Sequence, residues 1–324
     1  MAHHAIQLHR DSASLSGAPP HVAVAEPVPA FLQEVAGESE WYRWHGLKIH
    51  YKKVGSGLPV VFLHSVDVGA SCAEWRRNLA EIAAGFACYA VDLPGFGQSD
   101  VPRDALRADL YLRFVQDFLF FVSKQYPDAP AIRIIASGAG AAYATMIAAR
   151  QPSLVDRLVL VAPTGLSACN PHPLGALAFH ALALPLVSSF QSTVASRSSI
   201  LEHLQTDVYG DDLRASMNEA DGRFWVAHRP GADRVERARL ASMLNVSLRP
   251  VVKSVKQPVL LIWGRRAKCP PVEDAETWKD LHARTLVGIF EQSGLCPHAE
   301  EPTKFNDAAT DFLTRDLYVA AEAA

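Results

Sequence analysis

The sequence predicts an α/β protein built on one mostly parallel, twisted sheet that is flanked by helices. Short runs of Val, Ile and Leu recur without polar alternation, which is typical of strands buried on both faces. Stretches with helical spacing separate the runs, as connections between parallel strands require. The chain has 324 residues and is 49% hydrophobic, so it can bury a large core.

The first predicted element is an antiparallel hairpin. Residues 40–57, EWYRWHGLKIHYKKVGSG, alternate apolar and polar side chains about a His-Gly turn and end in a Gly-rich loop. Six buried strands are predicted after it, at PVVFLHS (59–65), ACYAVDL (87–93), IRIIAS (132–137), RLVLVAP (157–163), PVLLIWG (258–264) and TLVGIFEQS (285–293).

A helical insertion is predicted between the fourth and fifth of these strands, over residues 164–257. It contains PLGALAFHALALPLVSSF (173–190), which carries no formal charge, and DRVERARLASML (233–244), which is amphipathic by helical spacing. Long insertions in compact domains are usually functional, so we interpret this one as a lid. Pro185 and His180 favour a buried lid helix at 173–190 over a membrane span, either walling an apolar ligand or packing on the sheet.

The predicted organisation has five parts: a flexible N-terminal arm (1–38), a first core part (39–163), the helical lid (164–250), a second core part (251–316) and a C-terminal tail (317–324). The arm lacks the apolar run of a signal peptide, although a weak organelle-targeting interpretation stays open.

Composition narrows the classes of partner. A net charge of −3 gives no field for recruiting nucleic acid or an anionic membrane. Cysteines without CxxC spacing, and odd in number, favour reduced thiols and a cytoplasmic location. We expect no metal and no cofactor. The five cysteines are Cys72, Cys88, Cys169, Cys269 and Cys296.

Motifs in six segments carry a family resemblance over about residues 41–316. The first strand ends in HS, Trp75 follows, and the next strand runs into DLPGFGQSD (92–100). RLVLVAPTG and PVLLIWG flank the insertion, and PHAEEPTKFNDAATDFL (297–313) closes the chain. In this order the segments resemble the α/β-hydrolase fold superfamily, whose members use a nucleophile, an acid and a histidine on three loops.

The resemblance puts the nucleophile at Gly138, between Ala136 and Gly140, where no side chain exists to attack. A register one residue earlier would make Ser137 the nucleophile, but Ile135 would then stand where a small residue is needed. The acid position falls on Ala267 and the histidine position on Leu295. The resemblance therefore implies a degenerate triad, and we expect no catalytic residue among the three.

An oxyanion hole needs only backbone amides, and the matching donors are those of Val66 and Ala139. An anionic or carbonyl-bearing ligand could therefore bind without being cleaved. Ser65 replaces the glycine of the family's His-Gly turn, which narrows the predicted pocket. The candidate pocket residues are Ser65, Val66, Asp67, Ser137, Gly138, Ala139, Leu295, Cys296 and His298.

The leading hypothesis is a non-hydrolytic member of this superfamily, a pseudoenzyme that binds a small apolar or carbonyl-bearing ligand or a protein partner. Three alternatives stay open: a lyase, isomerase or cyclase using His298, Ser137 or Asp67 for acid–base work; a weak hydrolase using Ser137; and a structural subunit of a larger assembly. Basic residues Arg265, Arg266 and Lys268 could neutralise a ligand's carboxylate or phosphate or form a solvated loop.

Overall fold

The structure is a computed structural model that describes residues 27–128, 131–167 and 195–315. Most of the predicted arm, up to residue 26, lies outside the described residues, as do the uncharged lid segment 173–190 and the tail 317–324. Within the described residues, no helix combines the length and the apolar character that crossing a bilayer requires.

Eight strands of the described chain form a single sheet, which confirms the predicted architecture. Across the sheet their order is β1-β2-β4-β3-β5-β6-β7-β8. β2 pairs antiparallel with both β1 and β4, and every other pair of neighbours is parallel. In chain order the strands are β1 Glu38–Trp44, β2 Leu47–Val54, β3 Leu58–Leu63, β4 Phe86–Val91, β5 Ile132–Ser137, β6 Val155–Val161, β7 Val259–Gly264 and β8 Thr285–Phe290.

Burial explains the strand sequences. Every residue of β4, β5 and β7 is buried, and strands covered on both faces need no polar alternation. β8 lies at the edge, where only its two end residues are buried and Leu286 faces solvent. β8 ends at Phe290, three residues before the end of the predicted stretch 285–293, because the polar Glu291, Gln292 and Ser293 follow.

The strand order reverses at β3, which lies between β4 and β5. Leu63 at the end of β3 pairs with both Val91 and Ala136, so the loops that leave these strands start side by side. Ligands of open α/β sheets bind outside the carboxyl ends of the strands at such a reversal. The candidate residues at 65–67 and 137–139 follow β3 and β5 directly, and the fold brings them to this place.

Helices cover the sheet. The amphipathic α3 buries Leu110, Phe114 and Phe118 at four-residue spacing, and its Tyr111 stacks on Tyr143 of α4 at 5.7 Å between ring centroids. The described helices are α1 Ala30–Gln33, α2 Leu79–Ile82, α3 Ala108–Ser123, α4 Gly138–Arg150, α5 Arg197–His203, α6 Met217–Ala227, α7 Ala232–Leu240, α8 Glu273–Leu281, α9 Pro297–Glu300 and α10 Pro302–Thr314.

The insertion between β6 and β7 is helical over its described part, as predicted, and comprises α5, a π-helical turn at Leu204–Val208, α6 and α7. The insertion packs directly against the loop after β3. The two backbones come so close that a Cβ on Gly69 would lie within 2.0 Å of the Arg223 carbonyl oxygen. The amphipathic segment predicted at 233–244 ends earlier, at Leu240. Ser242 takes a left-handed φ of 57°, and the Met243 amide donates to the Ala238 carbonyl at 3.0 Å, which closes the helix.

The predicted flexible arm extends too far into the chain. Phe31 and Leu32 of α1 are buried, and Phe31 packs against Gly222 of α6. Glu34 pairs with Arg76 at 3.7 Å. The sequence has no local signal for this because a four-residue helix owes its stability to the surface on which it packs.

Candidate functional site

A cavity of about 180 Å³ lies at the carboxyl ends of β3 and β5, between the core loops and the inserted helices. Buried ionisable groups with shifted pKa values line it, which is a mark of a functional site. Its described lining residues are Ser65, Val66, Asp67, Glu74, Ser137, Gly138, Ala162, Thr164, His203, Val208, Arg223, Cys269, Pro270, Leu295 and Cys296.

The cavity brings together most of the predicted pocket residues and two of the three predicted triad positions. Gly138 and Leu295 line it, whereas Ala267 is buried in the turn after β7 and does not. Ala139 and His298 also lie outside the lining. Ala139 follows the lining residue Gly138 in the chain, and His298 contacts the lining residue Glu74. The three basic residues considered for ligand binding also lie outside the lining and bind neighbouring loops instead. Arg265 pairs with Glu291, Arg266 donates to the Gly210 carbonyl, and Lys268 donates to the Thr206 carbonyl.

The junction of β5 and α4 is a sharp turn centred on Gly138. Its φ is +48°, in the left-handed region, whereas Ser137 keeps an extended φ of −123°. A strained strand-to-helix turn is where α/β hydrolases hold their nucleophile, and the strain falls on Gly138. A Cβ on Gly140 would come within 2.4 Å of the His64 carbonyl oxygen, so α4 packs against the end of β3.

The side chain of Ser65 fills the space beside Gly138. A Cβ on Gly138 would come within 2.2 Å of Ser65 Oγ and 3.0 Å of Ser65 Cβ. The serine that replaces the glycine of the His-Gly turn thus lies where a side chain on residue 138 would begin. Serine at position 65 therefore has room for its side chain because position 138 is a glycine.

Glu74 is the main site residue that the sequence reasoning missed. It belongs to a 3-10 turn, Cys72–Trp75, and it is buried although it lines the cavity. Its Oε2 accepts the Ser65 amide at 2.9 Å, and its Oε1 accepts the Ser137 hydroxyl. The available signal was one acidic residue inside an otherwise apolar turn before Trp75.

His298 lies behind Glu74 and is fully buried. Its Nε2 is 3.4 Å from Glu74 Oε1, without hydrogen-bond geometry, and its ring lies on Trp75 at 4.4 Å. Burial alone would raise the pKa of Glu74, but His298, Ser137 and His64 together lower it below its usual value. Glu74 is therefore ionised at neutral pH, and a carboxylate faces the cavity.

Asp67 is held in a network of ion pairs. His203 Nε2 lies 3.0 Å, Arg223 Nη1 3.3 Å and Arg239 Nη1 3.8 Å from its carboxylate oxygens. Burial raises its pKa, but these three cations outweigh burial and hold the pKa far below its usual range. Because three cations fix it as an anion, Asp67 is a structural link between core and insertion.

The thiols are poor candidates for nucleophiles. Cys296 is free and lines the cavity, but burial raises its pKa well above the ordinary value, so the thiolate is disfavoured. Cys72 and Cys88 are free and buried, whereas Cys269 is disulfide-bonded. The disulfide departs from the expectation of reduced thiols, because pairing depends on proximity in the fold and not on sequence spacing.

One group of described residues has metal-ligand types within reach of one another: His50, Cys72 and Asp92, all buried. Hydrogen bonds already use the Asp92 carboxylate, which accepts from His50 Nδ1 at 2.7 Å and from the amides of Cys72 at 2.6 Å and Gln98 at 2.8 Å. These contacts anchor the loop after β4, and they account for the group without an ion.

A model of the α/β-hydrolase fold family matches residues 59–302. The 2-hydroxymuconate semialdehyde hydrolase of Pseudomonas sp. CF600 is 25% identical over 279 residues, covering 83% of this chain and 91% of that protein. An uncharacterised protein of Mycobacterium tuberculosis is 26% identical over 284 residues, covering 83% and 79%.

Solved structures share the fold. A mutant meta-cleavage product hydrolase of Pseudomonas fluorescens IP01, complexed with acetates, superposes with a TM-score of 0.70 at 21% identity, covering 87% of this chain and 98% of that one. A serine hydrolase involved in carbazole degradation gives 0.69 at 21% identity, covering 86% and 99%.

Proposed function

Because this chain belongs to the α/β-hydrolase fold family and has glycine at the strained turn after β5, we propose that it is a non-hydrolytic member that binds a small carbonyl- or carboxyl-bearing molecule. The observation that carries the proposal is the pair Gly138 and Ser65. Residue 138 has no side chain to attack with, and Ser65 occupies the adjoining space.

The other two matched positions support the proposal. The resemblance assigns the acid to Ala267 and the base to Leu295, and neither side chain can orient a histidine or carry a proton. The relatives are named as hydrolases, so hydrolysis is the activity that an experiment must exclude first. A residual oxyanion hole gives only about 10³ to 10⁴ over water, which is too little for a dedicated hydrolase.

The ligand class follows from what the cavity retains. The Val66 amide makes no hydrogen bond to the described residues, and the Ala139 amide, in the first turn of α4, has no partner within its helix. Both can donate to a carbonyl or carboxylate oxygen, and the positive end of α4 favours negative charge there. The name of the Pseudomonas relative describes such a compound, a semialdehyde of 2-hydroxymuconate.

The hydrolytic part is tested with p-nitrophenyl esters, epoxides and a fluorophosphonate probe read by intact mass. The Pseudomonas sp. CF600 hydrolase is the positive control. We expect no turnover above buffer and no adduct, because residue 138 has no side chain and Leu295 occupies the position that the resemblance assigns to the histidine. Turnover near that of the control, abolished by Ser137→Ala or Ser65→Ala, would overturn the proposal, as would a covalent adduct in the cavity.

The binding part is tested by thermal shift with acetate, pyruvate, butan-2-one and 2-hydroxymuconate semialdehyde. A ligand that binds only the folded protein raises its melting temperature with concentration. Leu295→Trp, which fills the cavity, should abolish the shift, and Leu213→Trp on the surface should leave it unchanged. Equal shifts in both variants, or none in the wild type, would contradict the proposed ligand class.

A further inference from the structure

We infer that Glu74 is a catalytic residue that moves a proton at the carbon next to the carbonyl of a small ligand bound in this cavity. The inference rests on the proposed function, since it concerns the same cavity and ligand class. It adds a reaction type that needs no nucleophile at residue 138.

The position of Glu74 is the first support. Its carboxylate reaches the cavity wall beside Gly138 and is held by two donors, the Ser65 amide and the Ser137 hydroxyl. The two donors, Ser65 and Ser137, are close neighbours of Val66 and Ala139 in the chain. The same two backbone segments therefore fix the position of the carboxylate and of the two amides. A base must be held in this way relative to the group that it deprotonates.

The ion pairs provide the second support. Among the described residues, no Lys or Arg pairs with Glu74, and its one ionisable contact is His298. Asp67, the other acid of the lining, pairs with two arginines and a histidine. These partners fix Asp67 as an anion, whereas Glu74 can change its protonation state without breaking an arginine pair.

The buried polar atoms provide the third support. His298 is fully buried, and neither of its ring nitrogens makes a hydrogen bond within the described part of the chain. Its edge faces Glu74 Oε1, which also accepts the Ser137 hydroxyl, so imidazole, carboxylate and hydroxyl form a row from the core to the cavity. The buried imidazole thus gives the carboxylate a polar neighbour on the side away from the cavity.

The step balances with solvent water as the one further reactant. Glu74 takes a proton from the α-carbon, the C–H electron pair forms a C=C bond, and the π pair of the carbonyl moves to its oxygen, which gives an enolate. The Val66 and Ala139 amides and the N-terminus of α4 stabilise the new negative charge. The protonated Glu74 exchanges its proton with solvent and then protonates the carbon, or it protonates the enolate oxygen directly, so the net reaction is hydrogen exchange or keto–enol isomerisation of a small carbonyl compound.

The test is hydrogen exchange at the α-carbon of pyruvate and butan-2-one in D₂O, followed by proton NMR. The wild type should accelerate exchange over buffer. Glu74→Gln should lower the protein-catalysed rate by about 100-fold or more, the usual contribution of an acid–base group. Asp274→Asn is the matched control, because Asp274 is also a buried carboxylate that binds one serine by amide and hydroxyl but lies outside the cavity.

Two further readouts separate chemistry from a structural role. Formate should restore exchange to Glu74→Ala, because it supplies a carboxylate in the vacated space, and it should not affect Asp274→Asn. Since the pKa of Glu74 lies below its usual value, exchange should fall only at pH values below about 4.5, and the profile is measured in a His203→Gln background because the lining residue His203 has its own pH dependence. Exchange that Glu74→Gln leaves unchanged would overturn the inference.

Thermal shifts with the same two compounds make the failures distinguishable. If a compound binds but its α-protons exchange only at the buffer rate, the inference is wrong and the proposed binding function stands. If neither these compounds nor the other ligands of the binding test shift the melting temperature, the proposed function is wrong, and the inference falls with it.

Discussion

Gly138 and Ser65 show how two single residues can change what a turn can do. Glycine at 138 accepts a φ of +48° without a Cβ penalty, and the hydroxymethyl group of Ser65 takes the free space. Restoring a side chain at 138 therefore requires a second change at 65. The residues at the two positions are therefore coupled, although they lie 73 positions apart in the sequence.

Gly138→Ala should lower the free energy of unfolding by about 1–3 kcal/mol, because a Cβ is strained at this φ and collides with Ser65. In a Ser65→Gly background the same change should cost less, by roughly 1 kcal/mol, since the colliding atoms are gone. Urea unfolding of the four proteins measures this coupling. Additive effects would mean that the two residues do not compete for space.

At the scale of elements, α5 and the π-helical turn after it are fastened to the core through His203. Its Nε2 contacts Asp67 after β3, and its Nδ1 lies 3.2 Å from Asp207 in the π-helical turn. Three cations also face this group of acids: Arg223 of α6 and Arg239 of α7 beside Asp67, and Lys268 at 3.8 Å from Asp207. The contact between insertion and core therefore includes an ion-pair network beside the apolar packing of Val226, Val235 and Ala238, and His203 makes this network depend on pH.

The charge of Asp67 raises the pKa of His203 above its usual 6.5 despite burial and nearby Arg223, and Asp67 stays ionised throughout the neutral range. A raised histidine pKa stabilises the fold fully below the unfolded pKa, and that stability is lost as pH rises through the folded pKa. His203→Gln should therefore cost more at pH 6 than at pH 8.5, by about 1 kcal/mol or less for a partly exposed pair.

Urea unfolding of the wild type and His203→Gln at the two pH values measures the difference. His45→Gln is the control, since His45 is 75% exposed and its one ion-pair partner within the described residues is Asp117, at 3.8 Å. A cost of His203→Gln that is equal at both pH values, or larger at pH 8.5, would show that the ion pair does not fasten the insertion.

At the scale of the whole molecule, two arginines of the central strands hold the last helix. Arg157 of β6 donates to the carbonyls of Phe312 and Arg315 at 2.9 and 2.7 Å, and Arg133 of β5 donates to that of Leu313 at 3.1 Å. These carbonyls at the end of α10 lack intrahelical partners, and cations complement the negative end of a helix.

Arg157→Ala should lower the free energy of unfolding by about 2–3 kcal/mol, since buried carbonyls and Asp156 lose a charged donor. Arg113→Ala removes an arginine that is 70% exposed and whose one ion pair in the described part of the chain is with Asp109, so it should cost less than about 0.5 kcal/mol. The comparison by urea unfolding is decisive: similar costs would mean that β6 does not anchor α10.

The features that the sequence predicted depend on local residue patterns, whereas the features that it missed depend on contacts between segments that are distant in the sequence. The end of β5 at Ser137 was predicted to the residue, because the apolar run that forms the strand stops there and Gly and Ala follow. Glu74, His203 and Arg223 were missed because their burial and pairing arise only when distant segments meet. His203 and Asp67 are 136 positions apart, and no periodicity in either segment reports the contact.

The described cavity walls come from three groups of residues: the loops after β3, β5 and β6, the inserted helices, and the turns after β7 and β8. Only the second group can swing away without breaking the sheet, since the others are continuous with strands of the sheet. A molecule bound as proposed would therefore enter and leave through local opening of residues 195–244, a subglobal event that costs far less than unfolding. The residence time of a ligand should accordingly follow the ionisation of His203, although that ring contributes nothing to the chemistry.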